Sequence, residues 1–139
     1  MSISATTTII GNVTGAPELR FTPSGKAVIN FTVASTERYL DRSTGEWKDG
    51  STVFMPCYSW NGAENIAESL SKGDRAIVTG RLKQRSYTTD DGNKRQVVEL
   101  EIDEVGPSLR YAQAKPTKTP RAGSNYAAQG ADQWATSGV

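Results

Sequence analysis

The 139-residue chain contains no histidine and a single cysteine, Cys57. Without a second thiol there is no intramolecular disulfide, and without histidine there is no Cys/His zinc cluster and no Ser-His or Cys-His nucleophile pair. Only carboxylate-based catalysis stays open, and no two carboxylates pair convincingly across a cleft. Charge of one sign is also missing: 16 basic residues face 15 acidic ones, a net +1. Bulk charge therefore argues for no particular partner, and any case must rest on local pattern. No run approaches the ~18 apolar residues that span a membrane. The start, "MSISATTTIIGNV", lacks the basic and apolar regions of a signal peptide. A soluble, intracellular protein without a cofactor or metal is expected. At 36% hydrophobic residues the chain can build one domain of ordinary size.

What is present is mostly strand pattern. Residues 3–13 are rich in Thr, Ile and Val. Turn residues follow at Pro17 and at Pro23, Ser24 and Gly25. Residues 27–35, "AVINFTVAS", alternate, with Ile29, Phe31 and Val33 on one side. The polar stretch 36–52 reads as a long hairpin loop carrying Tyr39 and Trp47, and residues 53–60 as a third strand. Then the period changes: Ala63, Ile66, Ala67 and Leu70 predict a short helix over 62–71, with Asn61 and Glu64 as a capping box and Gly73 at its end. Residues 75–87 and 96–105 are two further strands around an Asp91-Gly92 turn. Three strands, a short helix and two strands predict an all-β fold, the five-stranded OB-fold barrel. Residues 1–111 form this domain. The remainder, 112–139, is rich in Ala, Gly, Ser and Thr without apolar period and reads as a disordered tail.

Two strands carry the chemistry. Arg81, Lys83, Arg85 and Tyr87 sit at alternate positions and share a face, while Val78 and Leu82 point to the other. In "VFMPCYSW", Val53, Met55 and Cys57 make a core face, leaving Phe54, Tyr58 and Trp60 opposite. A small barrel has one interior, so these rings face solvent, a partner subunit or a ligand. Rings flanked by Lys and Arg suit unpaired bases: a base stacks on a ring and a cation neutralises each phosphate. Stacking tolerates every base, so selectivity for single strands rather than for sequence is expected. Taken singly, each feature has a plainer explanation. A Lys/Arg row protects an edge strand, exposed rings form subunit contacts, and Tyr39 and Trp47 pack their own loop. The acidic row Glu99, Glu101 and Asp103 is expected to be solvated, and Cys57 to be an inert core residue.

The segments "GNVTGAPELRFTPSGKAVINFTVAST", "DRSTGEWKDG", "AENIAESLSKGDRAIVTGRLKQRSY" and "VELEIDEVGPSLRYA" resemble the bacterial single-stranded DNA-binding protein family from Thr7 to Ala112. The resemblance implies an OB-fold that assembles as a homotetramer in the cytoplasm, at the nucleoid, and wraps single-stranded DNA during replication, recombination or repair. Carried over by position, the stacking rings are Tyr39, Phe54, Trp60 and Tyr87. The family often has Trp in place of Tyr39, Phe54 and Tyr87, and Phe in place of Trp60. Cationic family positions match Arg81, Lys83 and Arg85, with Arg20, Lys26, Arg38, Arg42, Lys48, Lys94 and Arg95 as looser phosphate contacts. Pro56 replaces a residue that is often basic. The family's main members end in an acidic tip that recruits replication and repair proteins. Here residues 112–139 hold three basic residues against Asp132 alone, so recruitment through such a tip is not expected. The alternatives are an RNA-binding OB module and an assembly module whose aromatic face is a subunit interface.

Overall fold

The computed structural model describes residues 5–120. Its elements are β1 (Thr6–Val13), β2 (Glu18–Phe21), β3 (Ala27–Asp41), β4 (Glu46–Ser59), α1 (Ala63–Ser69), β5 (Arg75–Thr88) and β6 (Lys94–Pro107). The strands neighbour one another in the order β1-β5-β6-β4-β3-β2, and β1 pairs also with β3. That second pairing closes five strands into a ring, with β2 added outside it on β3. All pairings are antiparallel except β4 with β6. Five closed strands with a short helix between the third and fourth give the all-β architecture expected of an OB-fold.

The interior follows from alternation. Ile29, Phe31 and Val33 point inward and lie opposite Ser59, Cys57 and Met55 of β4. With Ile9, Val13, Ala76, Val78, Leu100 and Ile102 they form one core, which α1 covers with Ala63 and Ile66. Burial pushes the Cys57 thiol up to about 12, so it stays protonated and packs as a small apolar group. Two glycines let backbones cross closely. A Cβ on Gly11 would lie 2.3 Å from the Ala34 carbonyl oxygen, and one on Gly80 would lie 2.0 Å from that of Glu101. Gly11 stands where β1 passes from β5 to β3. Gly80 adjoins the register shift between β5 and β6.

Several expectations change. Residues 36–52 are not a loop: β3 runs on to Asp41 and β4 begins at Glu46, leaving a tight turn between them. The polar composition misled because this ribbon projects beyond the barrel and needs no apolar face. β2 falls between the turn residues Pro17 and Pro23 and was not expected as a strand, because four residues give too few alternations to signal one. The capping box does not form. Gly62 precedes the helix in the left-handed region at φ 65, with no side-chain cap, and the helix ends at Ser69. Gly73, at φ 91, lies past it in a turn whose amide donates to the Val13 carbonyl at 2.7 Å. Val53, expected in the core, is exposed where its hairpin leaves the barrel, and so is Val98 of β6. Of the expected tail, Ala112–Pro120 has no regular secondary structure, and the Asn65 amide donates to the Thr119 hydroxyl at 3.0 Å. Residues 121–139 lie outside the described residues.

Candidate nucleic-acid interface

Strand β4 lies between β3 and β6, so its outward side chains stand in the middle of the sheet. Phe54, Pro56 and Tyr58 point out, alternating with Met55, Cys57 and Ser59. Phe54 is 64% exposed. Trp60 follows the strand end and is exposed as well. Its position is fixed by buried Ser59, whose hydroxyl donates to the Asn61 carbonyl at 2.8 Å and accepts the Asn61 amide at 3.1 Å. Pro56 lacks an amide hydrogen, so its place in the ladder carries one donor fewer.

The cationic row lies on the same face. Arg81, Lys83 and Arg85 of β5 stand opposite Glu101, Glu99 and Val97 of β6, while Leu82 and Leu100 meet on the inner side. Tyr58 is adjacent to Glu101 through the β4–β6 pairing. The Tyr58 hydroxyl donates to one Glu101 oxygen at 2.9 Å, and Arg81 Nη2 donates to the other at 2.7 Å. Asp103 lies 3.5 Å from the same guanidinium. Arg85 is paired with Glu99, whose side chain is only 14% exposed. The acidic row is therefore not merely solvated, as the sequence suggested. It neutralises two of the three cations and joins the aromatic strand to the basic one. Burial first, then the hydrogen bond to Glu101, pushes the Tyr58 phenol up to about 12. Lys83 has no carboxylate partner among the described residues.

Tyr87 is exposed at the far end of the row, with the Arg85 guanidinium 5.8 Å from its ring centroid and Arg95 opposite it in β6. The turn beyond is held by the Thr89 amide donating to the Asn93 carbonyl at 2.8 Å and by the Thr89 hydroxyl on Asp91. That hydroxyl holds the Asp91 carboxyl below its usual range. Tyr39 is exposed on the β3–β4 ribbon. Two looser candidates there are engaged: Arg38 lies 3.3 Å from Asp49, and Lys48 lies 2.8 Å from Asp41. Lys48, with the Ser43 hydroxyl and amide, lowers Asp41 to about 2. Arg20, on β2, is paired with Glu18 at 2.6 Å. Lys26, Arg42, Lys94 and Arg95 have no ion-pair partner among the described residues. Thus Phe54, Trp60, Arg81, Lys83, Arg85 and Tyr87 share one broad face, whereas Arg20 and Lys26 belong to the β2–β3 region.

This face is a surface, not a pocket. Among the described residues, a cleft of about 870 Å³ lies elsewhere, between α1 and the segment after β6, with Asn12, Glu68, Arg75 and Tyr111 in its lining. A flat track of rings and cations accommodates a polymer that enters and leaves at both ends, which an enclosed pocket does not.

Residues 5–108 match the model of the single-strand binding protein family. The chain belongs to this family. It is 62% identical over 124 residues to a protein named single-stranded DNA-binding protein from Mycolicibacterium smegmatis, covering 88% of this chain and 75% of that one. A protein of the same name from Paenarthrobacter aurescens is 59% identical over 131 residues, covering 94% and 77%. Two solved structures are similar. One is the small single-stranded DNA-binding protein from Streptomyces coelicolor, at TM-score 0.66 and 32% identity, covering 76% of this chain and 95% of that one. The other is a Plasmodium falciparum complex with single-stranded DNA, at TM-score 0.66 and 25% identity, covering 78% and 97%.

Within this family fold, sequence reasoning missed two features. The Tyr58–Glu101–Arg81 chain was one: a two-residue turn at Asp91-Gly92 would set Arg81 opposite Ile102, whereas the loop spans Asp90 to Gly92, with Thr88 opposite Lys94, and so sets Lys83 opposite Glu99 and Arg81 opposite Glu101. The other is Trp47, set aside with its supposed loop, which stands on a paired strand and is 62% exposed.

Proposed function

We propose that this protein is a non-catalytic coat for single-stranded DNA, binding without sequence specificity during replication, recombination or repair. The observation that carries the reading is the coincidence, on one face of an OB-type barrel, of exposed Phe54 and Trp60 with the row Arg81, Lys83, Arg85 and Tyr87. Family membership supports it, as does the DNA named in the similar complex. Bases stack on Phe54, Trp60, Tyr87 and, on the projecting ribbon, Tyr39. Phosphates meet Lys83 and Arg95 directly, and reach Arg81 and Arg85 by competing with Glu101 and Glu99. Arg38, Arg42, Lys48 and Lys94 guide the strand along the two hairpins, and Arg20 and Lys26 continue its path over β2. With about five unpaired cations engaged per chain, log K against log salt falls with a slope near −3.5.

The chain works as a homotetramer in the cytoplasm. Ile10 and Ile77 support the assembly: they are exposed apolar neighbours across the β1–β5 pairing.

The test is a competition experiment. Labelled oligo-dT is bound, then challenged with unlabelled oligo-dT, oligo-U and duplex DNA of equal length. Preference in that order is expected. Equal or better competition by oligo-U favours an RNA module, and failure to bind any of the three favours an assembly module.

A further inference from the structure

The β3–β4 ribbon changes which of its aromatic residues face the track. Along β3, Ala34 and Thr36 stand opposite Phe54 and Thr52, and the Thr36 and Thr52 hydroxyls are 2.9 Å apart. Beyond this the register shifts: Arg38 stands opposite Asp49, so Gly50 and Ser51 together face Glu37. An extra residue in one strand is a β-bulge, and it reverses the parity of that strand. Without it, Lys48 and Gly50 would continue the outward row of Phe54. With it, Asp49 and Trp47 do so.

Contacts on both sides fix this assignment. Arg38 meets Asp49 at 3.3 Å on the Phe54 side. On the opposite side Lys48 meets Asp41 at 2.8 Å, and a Cβ added to Gly50 would lie 3.5 Å from the Tyr39 ring and 3.6 Å from Glu37 Cβ. Tyr39 therefore occupies the reverse of the ribbon. Trp47 and its cross-strand partner Leu40 lie on the face of Phe54, and both are exposed.

Resting on the single-strand reading above, the geometry points to Trp47 as an additional base platform, continuous with Phe54 and Trp60 along one strand. Six residues separate Phe54 from Trp60; seven separate Trp47 from Phe54, one of them the extra residue of the bulge. At ~3.3 Å per residue each gap is about 20 Å. Three rings, two on the outward side of β4 and Trp60 just past its end, hold a strand at separated points, with intervening phosphates near Arg38. Leu40 stands directly across from Trp47 on the same face, an apolar neighbour for a base stacked there. Tyr39 serves only a strand that rounds the ribbon to its other side.

Trp47→Ala, Trp47→Phe and Tyr39→Ala are compared with wild type by equilibrium binding of labelled oligo-dT, with circular dichroism and sedimentation on each. Because Trp47 is exposed, fold and thermal midpoint stay unchanged. Trp47→Ala weakens binding about 5- to 150-fold, the range for losing one stacked base. Trp47→Phe recovers most of that loss, and Tyr39→Ala costs less than Trp47→Ala. Trp47→Ala binding like wild type while Phe54→Ala or Trp60→Ala is weakened overturns the assignment and leaves the single-strand reading standing. A change in sedimentation with unchanged binding per chain also overturns it, in favour of a subunit contact. If wild type itself binds no oligo-dT, the broader reading fails and this one with it.

Discussion

Arg81 and Tyr58 grip the two oxygens of one carboxylate, that of Glu101, at 2.7 and 2.9 Å. The guanidinium that a phosphate would approach is already neutralised, and a phosphate must displace the carboxylate or share the cation with it. The contact is partly exposed and competes with water, so exchange is energetically accessible. The face is thus less electropositive than its row of cations suggests, and stacking carries a larger share of affinity.

Replacing Glu101 by Gln keeps its size and an acceptor for Tyr58 but removes the charge. Glu101→Gln is expected to bind oligo-dT several-fold more tightly. The salt dependence should steepen by about 0.7 as one more cation becomes available. Titrations at three salt concentrations measure both. An unchanged slope would mean that Arg81 never meets a phosphate.

Gly80 passes so close to the Glu101 carbonyl that a methyl group has no room. Gly80→Ala is expected to lower unfolding free energy by roughly 1–3 kcal/mol, the cost of forcing packed backbones apart. It should also weaken DNA binding, because the displaced segment carries Glu101 and Arg81. Gly15→Ala, with nothing within 4 Å of the new Cβ, is the control and should be nearly neutral. Denaturant titration of both variants decides the point.

Alkaline pH should unfold the protein early. The Cys57 thiol is raised from 9.0 to about 12 by burial, and the Tyr58 phenol from 10.0 to about 12 by burial and Glu101. Both groups lose their protons first in the unfolded chain. Their stabilisation is therefore complete below pH 9 and disappears as pH climbs toward 12. Cys57 alone contributes a slope of up to roughly 1.4 kcal/mol per pH unit there. Urea unfolding at pH 7, 9 and 10.5 should show the decline, and Cys57→Ala should flatten it even though the variant is less stable at pH 7.

How far the sequence speaks depends on the kind of pattern involved. The core strands were legible because Ile29, Phe31 and Val33 alternate against a single interior. The aromatic and basic faces were legible for the same reason, one residue out for each residue in. The β3–β4 ribbon was not, since a two-stranded arm outside the barrel has no buried side to impose alternation. Its bulge was invisible as well: Gly50-Ser51 looks like a turn, yet it inserts one residue and exchanges Lys48 for Trp47 on the outward face. Pairing of Glu99 and Glu101 with the cations depended on strand register, and a two-residue turn at Asp91-Gly92 would shift that register by one; the loop spans Asp90 to Gly92 instead, which the sequence did not reveal. The helix cap failed because Gly62 enters the helix from a left-handed conformation, which leaves Asn61 outside it.

Trp60→Ala and Phe54→Ala, separately and together, bound to oligo-dT at low and high salt, test the central claim most directly. Each single change should weaken binding by ~1–3 kcal/mol. The double change should leave a weak interaction that falls away at high salt, because only phosphate contacts remain. Wild-type affinity in the double variant at both salts would contradict base stacking on this face.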